Sequence, residues 1–391
     1  MSAGRIDHFS VGVLGLLTIC SYGVWYYSFG VLLEPIRVDT GWGESTLAAS
    51  FSAGTVLIGL SALFGGRLLD RAGHRPVFLM GALIGGAGLL IASFATNVSV
   101  FFVSSATALG GFGALGFYHV TMATAVRFNP ADSSRAIAVL TIWGALASVV
   151  FLPLSDALVE ALGWRSTVRV LAAIGIGAFV AAAALLPGNN REPTNGPRPS
   201  VADVLIATVS SPAARWFTIA VACGGVAMAT LLVYQVPVMV AAGLSSTTAA
   251  TMAGVRGFCQ LGGRLPLAPI VQRLGRDRSL VLAFAALMAG GALLAVSGTI
   301  SVALLFSVVA GFGIGAFSPL QGMKAEELFD RDVLGAMMGT YGAILLLAGS
   351  VGPVTAGIIA EQTGERRWAS LIVVVAATGA LVSTIRLSRL P

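Results

Sequence analysis

The sequence predicts an all-α membrane protein of twelve transmembrane helices, arranged as two pseudo-symmetric six-helix bundles. Three observations carry that expectation. First, of 391 residues 56% are hydrophobic and only 10% charged, with a mean hydropathy of +0.89. A soluble domain carries about 25% charged residues, so this chain cannot cover a water-facing surface. Second, its apolar residues form unbroken runs of the roughly 20 residues that carry a helix across a bilayer core. Lipid leaves only helices or closed barrels able to satisfy the backbone, and the short alternating segments of barrel strands do not occur here. Third, landmarks of the first half recur in the second at one fixed spacing.

Breaks in apolarity place the segments near 10–36, 45–70, 76–95, 99–126, 136–160, 166–187, 214–242, 246–272, 279–297, 301–327, 333–360 and 367–387. The first run, led by Arg5, is too long for a signal-peptide core and reads as a retained helix. The one long polar stretch, Gly188–Pro212, is dense in Pro, Gly and Asn, the composition of a loop. The chain therefore divides into a first bundle (1–187), a cytoplasmic linker (188–213) and a second bundle (214–391). Pro35 and Pro237, Gly41 and Gly243, and Gly73 and Gly275 are each 202 residues apart. Three landmarks in one register indicate duplicated halves, and such halves place a ligand site at their interface near the bilayer midplane.

The formal charge of +6 invites a nucleic-acid reading, which the distribution of cations answers. All the basic residues are Arg except Lys324. Sixteen of the 23 fall on the side shared with the N-terminus and five on the other (Arg37, Arg165, Arg169, Arg366, Arg367), while Arg256 and Arg264 lie inside a segment. That asymmetry is the positive-inside pattern and predicts both termini in the cytoplasm. Cys20, Cys223 and Cys259 are scattered singly in apolar runs and read as small core residues.

Between the second and third segments stands Gly66-Arg67-Leu68-Leu69-Asp70-Arg71-Ala72-Gly73-His74-Arg75. It resembles the signature loop of the major facilitator superfamily, a resemblance that covers nearly the whole chain. It implies the twelve-helix transporter fold and a conformational latch formed by Gly66, Asp70, Arg71, Gly73 and Arg75. Asp70 would pair with a basic group or a helix N-terminus, and the turn glycine would relieve backbone strain. A polar turn carrying positive-inside charge is the plainer alternative. The segment Gly30–Ser61, the stretch with Arg135 and Pro153, and Gly163-Trp164-Arg165 are similar to the monocarboxylate and oxalate–formate branch. The fifth segment, Trp143 to Pro153, lacks the glycine-proline motif usual in drug–proton antiporters.

Arg256, Gln260 and Arg264 recur at i, i+4 and i+8 in the eighth segment, so they share one helical stripe. A charge near the bilayer centre costs roughly 2.5–3.5 kcal/mol on insertion scales, and arginine cannot escape by losing its proton. No Asp or Glu lies near the middle of any segment; Asp156, near an outer end, comes closest. An anion-binding cavity follows, with a water path or bonds to backbone carbonyls as the alternative for either arginine. In the resembling family, an arginine eleven residues before the turn glycine binds the substrate carboxylate, and Arg264 stands eleven before Gly275. Gln260 stands where the monocarboxylate carriers have an acidic residue, and apolar Ile344 to Leu347 where the oxalate-type relatives have a lysine, departures that weaken any specific substrate assignment. Arg256 and Arg264 are about 12 Å apart along the axis, a spacing suited to the two ends of a longer anion.

His119 is the one histidine inside a segment. Histidine is the side chain whose ordinary pKa lies near neutrality, which makes His119 the candidate for a coupled proton, with a hydrogen bond between helices as the blander role. Tyr26, Tyr118, Trp143, Tyr234 and Tyr341 are candidate lining residues, together with Tyr22, Trp25, Tyr27, Gln235 and Gln321. Gly111-Phe-Gly-Ala-Leu-Gly116 spells a dinucleotide-binding pattern, but it lies inside an apolar run without the strand that motif needs. Lys324 precedes Ala325 rather than Ser or Thr, so no ATP-binding loop is encoded. No cofactor and no metal are expected, and no nucleophile or base can be assembled into an enzyme. The expectation is a monomeric inner-membrane carrier of a small organic anion, proton-coupled or exchanging. A drug or metabolite exporter of the same fold, or a membrane sensor, would be the alternatives.

Overall fold

Several of the long helices begin where a short polar side chain can take up the free N–H groups of the first turn. Asp7 accepts from the amides of Phe9 and Ser10 (3.1 and 3.3 Å), Asn97 from Val100 (2.9 Å), Ser211 from Ala214 (3.1 Å) and Ser245 from Thr248 (3.1 Å). The computed structural model describes residues 7–62, 68–69, 72–188, 201–329 and 331–390. Among these the regular structure is helical throughout.

In chain order the helices are α1 (His8–Thr40), α2 (Glu44–Ala62), α3 (His74–Phe94) and α4 (Val98–Phe128). A long rod, Ser133–Leu185, is divided by Gly163 (φ 73°, ψ 162°) into α5 (133–162) and α6 (164–185). The second half holds α7 (Pro212–Ala241), α8 (Ser246–Arg264), α9 (Arg276–Ala295) and α10 (Ile300–Leu328). It closes with α11, running Arg331–Gly349 and on through Val351–Thr363, and α12 (Trp368–Leu387). Ten stretches among the described residues are long and apolar enough to cross a membrane. One of them holds both α5 and α6, and α8 falls short because Arg256, Gln260 and Arg264 dilute its apolarity. Each predicted segment thus has a helix. Large apolar side chains such as Leu83, Val103 and Val375 face outward, as a lipid-solvated surface requires.

Four boundaries differ from expectation. The first helix continues past 36 to Thr40, where Gly41 caps it in the left-handed conformation. The fourth is interrupted at Phe117, whose backbone is extended (φ −76°, ψ 176°). The eighth stops at Arg264 rather than 272: Pro266, which has no N–H to continue the ladder, separates it from a short helix at Leu267–Leu274. Within the polar stretch read as a loop, the more apolar residues Val201–Ala207 form a helix.

The duplication is written in the backbone. Gly41 and Gly243 both have positive φ (70° and 104°), and Gly73 and Gly275 both start a helix from one conformation (φ 79° and 80°, ψ 173° and 166°). Pro35 and Pro237 both lie inside helices. Gly163 and Gly364 (φ 73° and 72°) add a further pair, offset by one residue from the 202 spacing.

The halves meet through α1 against α7, α2 against α11 and α5 against α8. Two glycines make the approach possible. A Cβ on Gly30 would stand 2.7 Å from the carbonyl oxygen of Val233, and one on Gly257 would stand 1.8 Å from the Ser148 hydroxyl. Small residues at crossings let helices pack closely where no aqueous hydrophobic force drives them together.

Candidate functional site

Two irregularities in the first half meet at the centre. Residues Tyr22–Tyr27 of α1 form a π-turn, closed by the amide of Ser28 on the Gly23 carbonyl (3.3 Å) and held by the Ser28 hydroxyl on the same oxygen (2.7 Å). Such insertions recur at functional sites. The turn gathers Tyr22, Tyr26 and Tyr27, whose ring centroids are 5.5–6.2 Å apart. The break in α4 brings Phe117 flat onto Tyr22 at 3.7 Å and Tyr118 to 5.2 Å from it. Tyr26 also packs on Phe51 of α2 at 5.5 Å. A face of aromatic rings with phenol groups results.

Opposite stands α8. Arg256 is 1% exposed, and its Nε donates to Gln235 Oε1 of α7 at 2.8 Å. Its Nη2 has no hydrogen-bond partner among the described residues. Gln260 is buried with its Nε2 unpartnered. Arg264 donates from Nη1 to the carbonyl of Thr141 on α5 at 2.7 Å, while its Nε is buried and unpartnered. Three donors on one stripe are therefore withdrawn from water with no acceptor among the described residues. Leaving a buried donor unpaired costs about 1–3 kcal/mol, and more for a charged group. A small cavity beside Arg256, about 40 Å³, is lined by Tyr26, Tyr27, Met228, Leu231, Leu232 and Ile314. Ligand pockets run to roughly 300–1,000 Å³, so this cavity is smaller than a ligand needs.

The expected lining residues separate into groups. Tyr26 and Arg256 share the central cavity. Tyr118 donates to the Thr141 carbonyl (3.2 Å), the acceptor that Arg264 also uses. Trp143 covers Gly15 of α1, where an added Cβ would lie 2.5 Å from its ring. His119 bonds the Ala114 carbonyl of its own helix (2.9 Å), across the break at Phe117. Tyr341 is not brought to this group: it is buried in the second half between Phe217 (4.7 Å) and Phe329 (5.9 Å), its hydroxyl on Thr218 (3.2 Å). Of the latch, Gly66, Asp70 and Arg71 lie outside the described residues. Gly73 starts α3, its amide on the Leu69 carbonyl (3.0 Å), and Arg75 donates to the Leu186 carbonyl (3.3 Å).

A second charged cluster, which sequence reasoning missed, lies at the end of the molecule that carries Gly41 and Gly364. Arg366 of the second half bonds Glu44 of the first from Nη2 (2.9 Å) and Nε (3.0 Å), and also Glu34, which itself pairs with Arg37 (2.8 Å). Tyr234 points its hydroxyl toward this cluster, beside Glu44 and Gly357. Burial lowers the Arg366 pKa, but bonds to Glu44 and then the charges of Glu44 and Glu34 outweigh it and hold the group above its ordinary value. A cavity of about 700 Å³ opens at this end, lined by Arg37, Trp42, Glu44, Glu361, Arg366 and Arg367 among others. In the sequence the cluster is only a scatter of charged residues at segment edges on the arginine-poor side, Glu34, Arg37, Glu44 and Arg366.

Comparison with known proteins places these features. The sequence model of the Major Facilitator Superfamily matches residues 14–255 and 216–390. The cephamycin export protein CmcT of Amycolatopsis lactamdurans is 30% identical over 178 residues, covering 46% of this chain and 37% of that protein. Monocarboxylate transporter 13 of Rattus norvegicus is 24% identical over 357 residues, covering 90% of this chain and 80% of that protein. Among solved structures, the nucleoside transporter NupG superposes with a TM-score of 0.77 at 15% identity, over 97% of this chain and 97% of its own. At that identity the likeness is one of fold.

Proposed function

The chain belongs to the major facilitator superfamily, and from that membership we propose a secondary active transporter of a small organic anion, most simply a carboxylate. One observation carries the reading. Arg256, Gln260 and Arg264 carry buried N–H donors without a partner among the described residues on one stripe of α8, the helix that packs against α5 of the other half. An anion supplies the acceptors and the counter-charge together. The full-length similarity to a monocarboxylate transporter supports the same class.

In this reading Arg264 neutralises the substrate carboxylate and Arg256 and Gln260 orient the rest of the anion, with Tyr26 and Tyr118 as the opposing wall. The two bundles, 1–187 and 214–391, rock about the site by alternating access. The centre opens when contacts such as Arg264 on the Thr141 carbonyl part. His119 is the candidate proton carrier and the Asp70 loop the latch. The arginine asymmetry supports cytoplasmic termini, and the reading is completed by a monomer in the plasma membrane.

A second reading, export of amphipathic compounds, draws on the aromatic face of α1 and α4 and on the similarity to a cephamycin exporter. A thermal-shift panel of mono- and dicarboxylates, neutral analogues and cationic drugs separates the two. A ligand at a hundredfold excess over Kd stabilises the folded state by about 2.7 kcal/mol. Carboxylates are expected to stabilise the wild type, and Arg264→Ala to abolish the effect. Stabilisation by neutral or cationic compounds, unchanged in Arg264→Ala, would replace the anion reading with the exporter.

A further inference from the structure

Arg256 is held by an amide where a carboxylate would be the natural partner. Gln235 is fully buried on α7, and its Oε1 accepts from Arg256 Nε at 2.8 Å. Its Nε2 donates to the Leu232 carbonyl at 3.3 Å. The orientation of the amide is dictated by chemistry, because a guanidinium has donors only and must face the oxygen. Gln235 thus fixes one edge of the guanidinium while adding no charge, and Nη2 is left unpartnered. The ionisable neighbours do not neutralise it either. They are Tyr26 and Tyr27 from α1 and Cys259 from α8 itself. Farther along the stripe is Arg264, with Tyr118 of α4 beside it. Glu44, Glu361 and Arg366 face Tyr234, one position along α7.

We infer that Gln235 determines the charge specificity of the site: it positions Arg256 and, by being an amide, leaves the guanidinium free to take an anionic ligand. The inference rests on the anion reading of Arg256 above. A glutamate at this position has nearly the same shape and would supply the missing counter-charge from within the protein. The site would then be a closed ion pair, and an incoming carboxylate would meet a net charge near zero. In the Gln235→Glu variant such an anion binds only if the introduced carboxylate is neutralised, so each anion bound takes up one proton. Removing the amide without adding charge, as in Gln235→Leu, loses positioning and retains the positive site.

The test measures binding of acetate, butyrate and benzoate to the full-length protein in detergent, from pH 5.5 to 8, where all three probes are ionised. Expected are wild-type affinities that change little with pH. Gln235→Glu is expected to bind at least 30-fold more weakly at pH 8 and to recover by up to tenfold per unit as the pH falls. Gln235→Leu should bind within about tenfold of wild type, with a flat profile. Wild-type-like binding by Gln235→Glu, or a loss in it that pH does not relieve, overturns the inference. If Gln235→Glu does not yield folded protein, Gln235→Leu decides: loss of binding as complete as in Arg256→Gln overturns the inference, and retention sustains it. If instead Arg256→Gln binds the probes like wild type, the anion reading of Arg256 fails, whatever position 235 does.

Discussion

Arg366 and Arg256 are both guanidiniums drawn out of solvent, and the protein treats them in opposite ways. Arg366 reaches across the interface to two carboxylates, Glu44 and Glu34. Arg256 makes one bond, to an amide, and keeps a bare Nη2. Removing a buried ion from water costs several kcal/mol, and only a well-placed counter-charge repays it. At the end of the molecule that cost is met within the fold, and the charge cross-links two halves. At the centre it is left standing, as ligand sites that trade stability for function commonly do. Arg264 lies between the two cases, with one donor on the Thr141 carbonyl and another unused.

Three substitutions test that contrast. Arg366→Gln leaves Glu44, 7% exposed, without its counter-charge; breaking a buried pair from one side costs about 3–5 kcal/mol. A large fall in thermal stability is expected, with ligand-induced stabilisation preserved in relative size. A stable variant that no longer responds to carboxylates would reverse the comparison. Arg256→Gln should move stability in the other direction. It removes an uncompensated buried charge, so the unliganded protein should gain about 1–2 kcal/mol while probe binding drops by roughly two orders of magnitude, the value of a charge-assisted bond. Parallel unfolding curves for wild type and Arg256→Gln would show that the charge is compensated after all. The smallest effect is expected from Arg264→Gln, about 1 kcal/mol of stability for its bond to the Thr141 carbonyl, checked in the same melting assay. A loss as large as that of Arg366→Gln would make Arg264 a second cross-link of the halves.

The central stripe was legible in the sequence because its signal is local: three polar residues spaced by one turn in an apolar run can only share a face. The duplication was legible too, since Gly41, Gly73 and Pro35 have counterparts that report backbone requirements rather than side-chain chemistry. The partners were not. Glu44 and Arg366 are 322 residues apart, and neither carries a mark of the other. In the sequence each is a charged residue at the edge of a segment. Gln235 is one candidate lining residue among several, and nothing beside Pro237 indicates that its oxygen holds Arg256. The break at Phe117 and the π-turn at Tyr22–Tyr27 escape for a different reason. Apolarity reports which solvent a residue prefers and is silent on how many residues make a turn.

That π-turn has a consequence for how the first helix can vary. An α-helix advances about 100° per residue, so one residue accommodated as a local bulge leaves the helix on either side in regular phase. His8–Ser21 and Phe29–Thr40 therefore keep their relative phase although the stretch between them holds one residue more than a regular helix would. Deleting one position within Tyr22–Tyr27 would close the bulge, leaving Gly30 in its seat against Val233 and regrouping the Tyr22, Tyr26 and Tyr27 rings. The crossing of the two halves thus tolerates a change of length in this stretch, and the aromatic wall carries its consequence.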